Sequence, residues 1–334
     1  MRPPSPTPIT DLTRRDMLRI AMAGTAALTL GACGAASTEA SAQSRSWGAY
    51  IPTVLPTAPD SDDSPISRLA ALAEIHPTYI HRFAFIDEPA PISELNAVAT
   101  AGATPLLTLE PGVANGGVNQ LEYSLQRVAN GDFDDTLQRW GVELTRWGNP
   151  ILVRFAPKMN TPWYPWSIGV NGNTAENYRA AWSRMRALFG MASASNVKFV
   201  WAPYALTEQS GSFVKAYPDP TEVDYIALDG YNWGDIPGHQ WTLPSELFER
   251  SLEILTSLDG NHPVLLTEVA CAAAWPGRKA SWIRDLRTVI ANQSRIEAFL
   301  WYQAEDRERD WRFNTTDDSA RAFRNLLTQL IDRT

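Results

Sequence analysis

Cysteine is scarce in this 334-residue chain, with only Cys33 and Cys271. Two thiols allow one disulfide at most, so a disulfide framework is excluded as the source of stability. Histidine is sparse as well. His76, His81, His239 and His262 are scattered without metal-ligand spacing and read as surface or core residues. There is no GxGxxG, no P-loop and no close cysteine pair, so neither cofactor nor metal is expected. Positive charge is in deficit: 29 Lys+Arg against 37 Asp+Glu leave a net charge of −8. Nucleic acid is therefore not an expected partner, because phosphate binding needs a cationic face. No apolar run reaches the roughly 20 residues that a membrane-spanning helix requires.

The first 33 residues read as an address rather than as fold. Thr13-Arg14-Arg15-Asp16-Met17-Leu18-Arg19 resembles a twin-arginine export signal. The apolar stretch from Ile20 to Leu30 ends in Leu30-Gly31-Ala32-Cys33, which resembles a bacterial lipobox. The resemblance implies cleavage before Cys33, lipid on its thiol, and a protein held at the membrane of the cell envelope. Residues 34–46 are small and polar and read as a flexible tether. With Cys33 lipidated, Cys271 has no partner for an intrachain disulfide, and the exported domain must be held by its core.

Tryptophan is plentiful, at 13 residues. Such a count suits either an aromatic core or a groove for the flat apolar faces of sugars. Residues 47–334 lack a Pro/Gly-rich linker and read as one domain. Short apolar or β-branched runs recur at 47–51, 78–85, 104–110, 150–156, 197–203, 223–230, 263–269 and 296–302, as expected of buried strands. Helix-period stretches lie between them, at 65–75, 91–101, 133–147, 174–189, 244–258, 279–291 and 317–332. Thr174, with Asn177 three residues later, and Ser245 stand at expected helix starts. Eight strands alternating with helices predict an α/β fold of the (β/α)8 TIM-barrel type. A doubly wound sheet is the alternative, but the glycine-rich first turn it usually carries is missing after Ile51.

In a barrel the C-terminal strand ends share one mouth, where active sites lie. The residues closing the runs are Glu110, Pro157-Lys158-Met159-Asn160, Trp201, Asp229-Gly230-Tyr231, Glu268 and Trp301. Carboxylates and aromatics gathered on one face point to carbohydrate chemistry rather than to packing. The segment Arg154-Phe155-Ala156-Pro157-Lys158-Met159-Asn160-Thr161-Pro162-Trp163-Tyr164-Pro165-Trp166 resembles glycoside hydrolase family 26, which carries R-F-x-H-E-M-N-x-x-W-Y-x-W there. Ser167 to Thr174 is similar to the family's β-glucanase-like branch. The resemblance continues in Thr108-Leu109-Glu110-Pro111, Trp201-Ala202-Pro203, Leu228 to Trp233 and Leu266-Thr267-Glu268.

The resemblance implies a retaining β-glycosidase that acts on a β-glucan or β-mannan, with Glu268 as nucleophile and Tyr231 hydrogen-bonded to it. It implies sugar contacts from Trp163, Trp201 and Trp301, a platform extended by Trp166 and Trp233, and a substrate-side buttress from Asn160. At the chemistry the chain departs from the family: the acid/base glutamate falls on Lys158 and the histidine before it on Pro157. Retaining hydrolysis needs two carboxyls about 5–5.5 Å apart, one attacking carbon and one shuttling a proton. An ammonium beside Glu268 would pair with it and blunt it, and losing acid–base assistance costs roughly 10²–10⁴ in rate. Among carboxylates able to substitute, Glu110 stands ahead of Glu176, Glu305 and Asp306, although it is expected first as a structural or sugar-hydroxyl contact in the substrate-binding set. Two readings stay open, an enzyme with its proton relay lost or replaced and a carbohydrate-binding pseudoenzyme. A transporter's solute-binding lipoprotein suits the lipobox but not the eight-strand pattern.

Overall fold

The computed structural model describes residues 44–56, 63–273, 275–306 and 309–331. The expected signal peptide, Cys33 and most of the tether lie outside the described residues. Eight strands form one closed, all-parallel barrel in chain order, with the last hydrogen-bonded to the first. They are β1 (Ser46–Tyr50), β2 (Tyr79–Phe85), β3 (Thr104–Glu110), β4 (Ile151–Phe155), β5 (Val197–Trp201), β6 (Tyr225–Asn232), β7 (Val264–Cys271) and β8 (Ile296–Tyr302). The helices are α1 (Pro65–Ala73), α2 (Ile92–Thr100), α3 (Leu125–Asn130), α4 (Asp134–Trp147), α5 (Ala175–Met191), α6 (Pro244–Leu258), α7 (Arg278–Asn292) and α8 (Asp317–Leu330). The architecture is the expected (β/α)8 barrel. The short α3, before α4, is an element that periodicity did not single out.

Helix starts follow local chemistry. Thr174 caps α5: its side chain accepts from Asn177 N at 3.1 Å, and Asn177 Oδ1 accepts from Thr174 N at 3.1 Å. Such a cap contributes about 1 kcal/mol. Ser245, expected to cap α6, lies inside that helix. Pro244 occupies its first turn, and Leu243 N donates to Glu246 Oε2 at 2.8 Å. Gly230 is required by close approach, because a Cβ there would lie 2.5 Å from the Phe248 ring of α6. That helix can therefore pack tightly against β6 beside two site residues, Asp229 and Tyr231.

Alternation along the strands divides the molecule into two apolar regions. Leu106, Leu152, Val200, Ala202, Ala227, Leu265, Ala298 and Leu300 fill the barrel interior as a separate cluster. Their neighbours in sequence, such as Leu107, Val153, Phe199, Trp201, Leu266, Phe299 and Trp301, point outward into the larger core beneath the helices. Trp47, Trp140, Trp182, Trp201, Trp282 and Trp301 are fully buried. Burying one large apolar side chain stabilises by roughly 1.5–3 kcal/mol, so this aromatic shell holds the fold without a disulfide. Cys271 is free and buried.

Candidate active site

Two consecutive side chains of β7 enter the barrel because the strand is irregular at that point. Its register against β6 shifts after Leu228, and its register against β8 shifts between Leu266 and Val269. Leu265 lies in the interior cluster and Leu266 in the outer one. Thr267 and Glu268 then both reach Arg154 inside the barrel, after which Val269 faces outward. A bulge of this kind re-aims a side chain next to a site. Here it aims the Glu268 carboxylate at the mouth.

Arg154, from β4, is fully buried and organises the layer above the apolar floor. Its guanidinium donates to Asp229 Oδ2 at 2.8 Å, to the hydroxyls of Thr108 and Thr267 at 2.8 and 3.1 Å, and to Glu268 Oε1. Thr267 in turn donates to Asp229 Oδ1 at 2.5 Å. His81 Nε2 lies 2.7 Å from the Thr108 hydroxyl and 3.2 Å from Arg154. Burial, reinforced by Arg154, drives the His81 pKa well down and keeps the ring neutral.

Lys158 stands on a turn rather than a strand. Ala156 and Lys158 have φ of 44° and 57°, the left-handed region, which costs a non-glycine residue about 1–2 kcal/mol. Pro157 between them disfavours a continuing right-handed helix. The turn is held because Lys158 N donates to Ala202 O of the neighbouring segment at 2.7 Å. The Lys158 carbonyl accepts from Thr161 N at 3.0 Å and from the Thr161 hydroxyl at 2.9 Å. Strain at a site persists when the surroundings over-determine it. The result is that Lys158 Nζ lies 2.5 Å from Glu268 Oε2 and 3.8 Å from Asp229 Oδ2.

Glu268 thus receives three donors: Arg154 on Oε1, and Lys158 together with the Tyr231 hydroxyl on Oε2. Burial alone would raise its pKa. The Lys158 ammonium and the Arg154 guanidinium outweigh burial and hold the carboxyl well below the usual carboxylate range. Burial likewise opposes the Lys158 charge, but Glu268, Tyr164 and Asp229 overcome it and hold the ammonium above its ordinary range. Two cations and two carboxylates are therefore interlocked in a dry layer. Breaking one partner of such a set costs about 3–5 kcal/mol.

Above this layer opens a cavity of about 670 Å3. Ten of its sixteen lining residues are aromatic, among them Tyr50, Phe83, Phe85, Tyr164, Trp233 and Trp311. Tyr50 stacks on Tyr302 with centroids 4.7 Å apart, and Trp311 meets Trp233 and Tyr231 edge-on at 4.9 and 5.1 Å. Glu110, Gln209, His239 and Asp306 supply polar edges. Smaller depressions adjoin on both flanks. One of about 80 Å3 shares Tyr204, Gln209 and His239, and one of about 230 Å3 shares Phe85, Glu110, Trp163 and Tyr164. Such a trough can stack flat apolar faces while a few polar groups meet hydroxyls. Among the described residues, no group of three or more His, Cys, Asp or Glu is arranged to hold a metal.

The sequence-derived site residues separate into three groups. Glu110, Lys158, Trp163, Tyr231, Trp233 and Glu268 come together around the cavity. Trp166 and Asn160 lie behind it. Trp166 is 1% exposed, bonds Pro157 O at 2.7 Å and stacks on Tyr164, although it edges the flanking depression. Asn160 spends its amide on Tyr204 and Gly211, tying the turn after β4 to the segment after β5. Trp201 and Trp301 do not reach the cavity, which corrects the expectation of a sugar contact. Strand alternation turns Trp201 outward against Phe213 and Tyr217, and Trp301 outward against Trp282 and Phe323.

The inward neighbour of Trp301 is Tyr302, which lines the cavity instead. Sequence reasoning missed Tyr302, Tyr50, Phe83, Phe85, Tyr164, Tyr204 and Trp311, and left Arg154 and His81 without roles. Counting by twos from the interior residues Leu300 and Leu152 would have reached Tyr302 and Arg154.

No family model matches the sequence. Over 238 residues the chain is 31% identical to "Endoglucanase H" of Acetivibrio thermocellus, covering 70% of this chain and 25% of that protein. The chain thus spans about a quarter of the length of this curated relative. The fold is similar to that of a GH26 beta-mannanase from Bacteroides ovatus, with a TM-score of 0.66 and 15% identity over 86% of this chain and 89% of that one. It is similar also to the catalytic domain of a GH26 endo-beta-1,4-mannanase from Bacillus sp. JAMB-750, with a TM-score of 0.63 and 16% identity over 85% of each chain.

Proposed function

We propose that this chain belongs to glycoside hydrolase family 26 and that its cleft takes a β-linked polysaccharide, a β-glucan or a β-mannan, above Glu268. The reading is supported by the 31% identity to an endoglucanase, by the shared barrel, and by the motif from Arg154 to Trp166. The observation that carries it is the carboxylate of Glu268 at the floor of an aromatic cavity, oriented by Arg154 and Tyr231. A carboxylate so placed is suited to attack an anomeric carbon and form a glycosyl ester, as in a retaining mechanism.

Lys158 stands at the family's acid/base position and alters the chemistry. As an ammonium paired to Glu268 it withholds charge from the nucleophile. It is also too weak an acid to protonate a departing sugar oxygen efficiently, and it cannot act as base while protonated. When Glu268 becomes an ester, Asp229, already 3.8 Å from Nζ, remains as the counter-charge. We therefore infer a slow retaining glycosidase whose ordinary proton relay is lost. The Lys158–Glu268 pair also favours a second reading, a binder that holds glycan without cutting it. The proposed site of action is the cell envelope, with the barrel tethered through lipid on Cys33.

An activated aryl glycoside separates the two readings, because its phenol leaves without a proton. On the enzyme reading, phenol is released in a burst equal to the enzyme present, and Glu268→Ala abolishes the burst. Retained glycan binding with no burst establishes the binder.

A further inference from the structure

The cavity contains a second carboxyl that the pairing of Lys158 with Glu268 leaves free. Glu110 closes β3 on the same inward parity as Leu106 and Thr108, and it lines both the main cavity and the flanking depression. Its backbone is fixed: Ile86 N donates to Glu110 O at 2.8 Å, and Ala156 N donates to Leu109 O at 3.1 Å. The carboxyl itself accepts no hydrogen bond and forms no ion pair among the described residues. Every other carboxylate of the site is claimed, Glu268 by three donors and Asp229 by Arg154 and Thr267. A partly buried acid that faces an open cavity without a partner gains nothing for the fold from its charge.

We propose that Glu110 supplies the proton transfer that Lys158 cannot, acting as the acid and then the base for the glycosyl ester formed on Glu268. The inference rests on the family 26 reading of the site. In the first step a Glu268 oxygen bonds the anomeric carbon while the bond from that carbon to the glycosidic oxygen breaks. The Glu110 proton passes to that oxygen, and Glu110 is left as carboxylate. In the second step Glu110 takes a proton from water, the water oxygen bonds the anomeric carbon, and Glu268 leaves as carboxylate. Both residues return to their starting state.

The charges around Glu110 are compatible with this cycle. Burial raises its pKa to about 7, with Lys158 and Arg154 opposing and Glu268 and Glu88 adding to the rise. Tyr164 also faces it, and burial raises that phenol, so it stays neutral. Glu268 is depressed while Glu110 is raised, and two carboxyls pushed apart in this way divide the roles of nucleophile and proton carrier.

The test uses the full chain with β-glucan and β-mannan, and with the dinitrophenyl glycosides of cellobiose and mannobiose. Glu110→Gln is expected to lower kcat on the polysaccharide about 10²–10⁴-fold with little change in KM. The first-turnover burst of dinitrophenol, which needs no proton, is expected to lose far less, whereas steady-state release slows because the second step lacks its base. Azide should restore turnover to Glu110→Gln, yielding a glycosyl azide. The alkaline limb of the wild-type kcat/KM profile, near pH 7, should vanish in that variant. Glu110→Asp, which keeps a carboxyl, should retain part of the activity and guards against misfolding. A dinitrophenol burst slowed as much as polysaccharide hydrolysis, or a rise in KM alone, would overturn the proposal and make Glu110 a sugar-hydroxyl contact. So would a wild type that releases dinitrophenol but leaves polysaccharide intact, although the Glu268 reading would survive. Failure on every substrate, with Glu268→Ala no different from wild type, removes the enzyme reading on which the proposal rests and leaves the binder.

Discussion

The ends of β4 and β7 face each other across one cleft and solve opposite problems. β7 carries a bulge that turns two successive residues inward, so Glu268 gains Arg154, Lys158 and Tyr231 as donors. β4 ends in a strained turn, with Ala156 and Lys158 in the left-handed region, that delivers a cation to the same carboxylate. The bulge places a group suited to attack carbon. The turn places an ammonium against that carboxylate, which on the proposed reading restrains the attack. The Glu268 carboxylate is therefore positioned by backbone register and by Arg154, independently of the charge that the turn after β4 presents across the cleft.

The largest expected effect comes from placing a carboxyl in the turn after β4. Lys158→Glu combined with Pro157→His removes the cation and, on the proposed reading, supplies an acid/base, so hydrolysis of β-glucan or β-mannan is expected to rise about 10²–10⁴-fold, measured as reducing-end release. Next comes the shared support. Arg154→Met leaves Lys158 as the one cation against both Asp229 and Glu268, and denaturant unfolding should show a loss of about 3–5 kcal/mol. Trp301→Ala and Trp163→Ala separate shell from cleft. The first removes a fully buried side chain and should cost about 3–5 kcal/mol of stability with no loss of glycan affinity. The second should weaken glycan binding in calorimetry and leave unfolding nearly unchanged.

The smallest effect concerns pH and Glu110. Its folded pKa of about 7 exceeds its ordinary 4.5, so between these values the folded state holds more protons than the unfolded one. Stability contributed by the neutral carboxyl is complete below pH 4.5 and is lost as pH rises toward 7. The Tm of Glu110→Gln should thus gain on wild type across that window and run parallel to it above.

The barrel was legible in the sequence because eight apolar runs and the helices between them repeat at lengths that suit only a few architectures. The short α3 was hidden, since six residues give too little period to read. The meeting of Glu110, Lys158, Tyr231 and Glu268 around one cavity was legible because strand ends in a barrel share one mouth. Trp201 and Trp301 were misplaced for a physical reason: the last residue of a strand faces the mouth only if its parity matches the interior. Tyr302 meets that condition and Trp301 does not. The β7 bulge breaks parity outright, and no composition signal marks it, so the inward turn of both Thr267 and Glu268 required coordinates.

On the proposed reading Glu268 is a working nucleophile at the floor of a glycan cleft. Mass spectrometry of the protein after incubation with activated 2-fluoro glycosides of cellobiose and mannobiose tests it most directly. A slow but stoichiometric adduct on the peptide carrying Glu268 is the expected result. Glycan binding without any adduct, or an adduct on another residue, would contradict it.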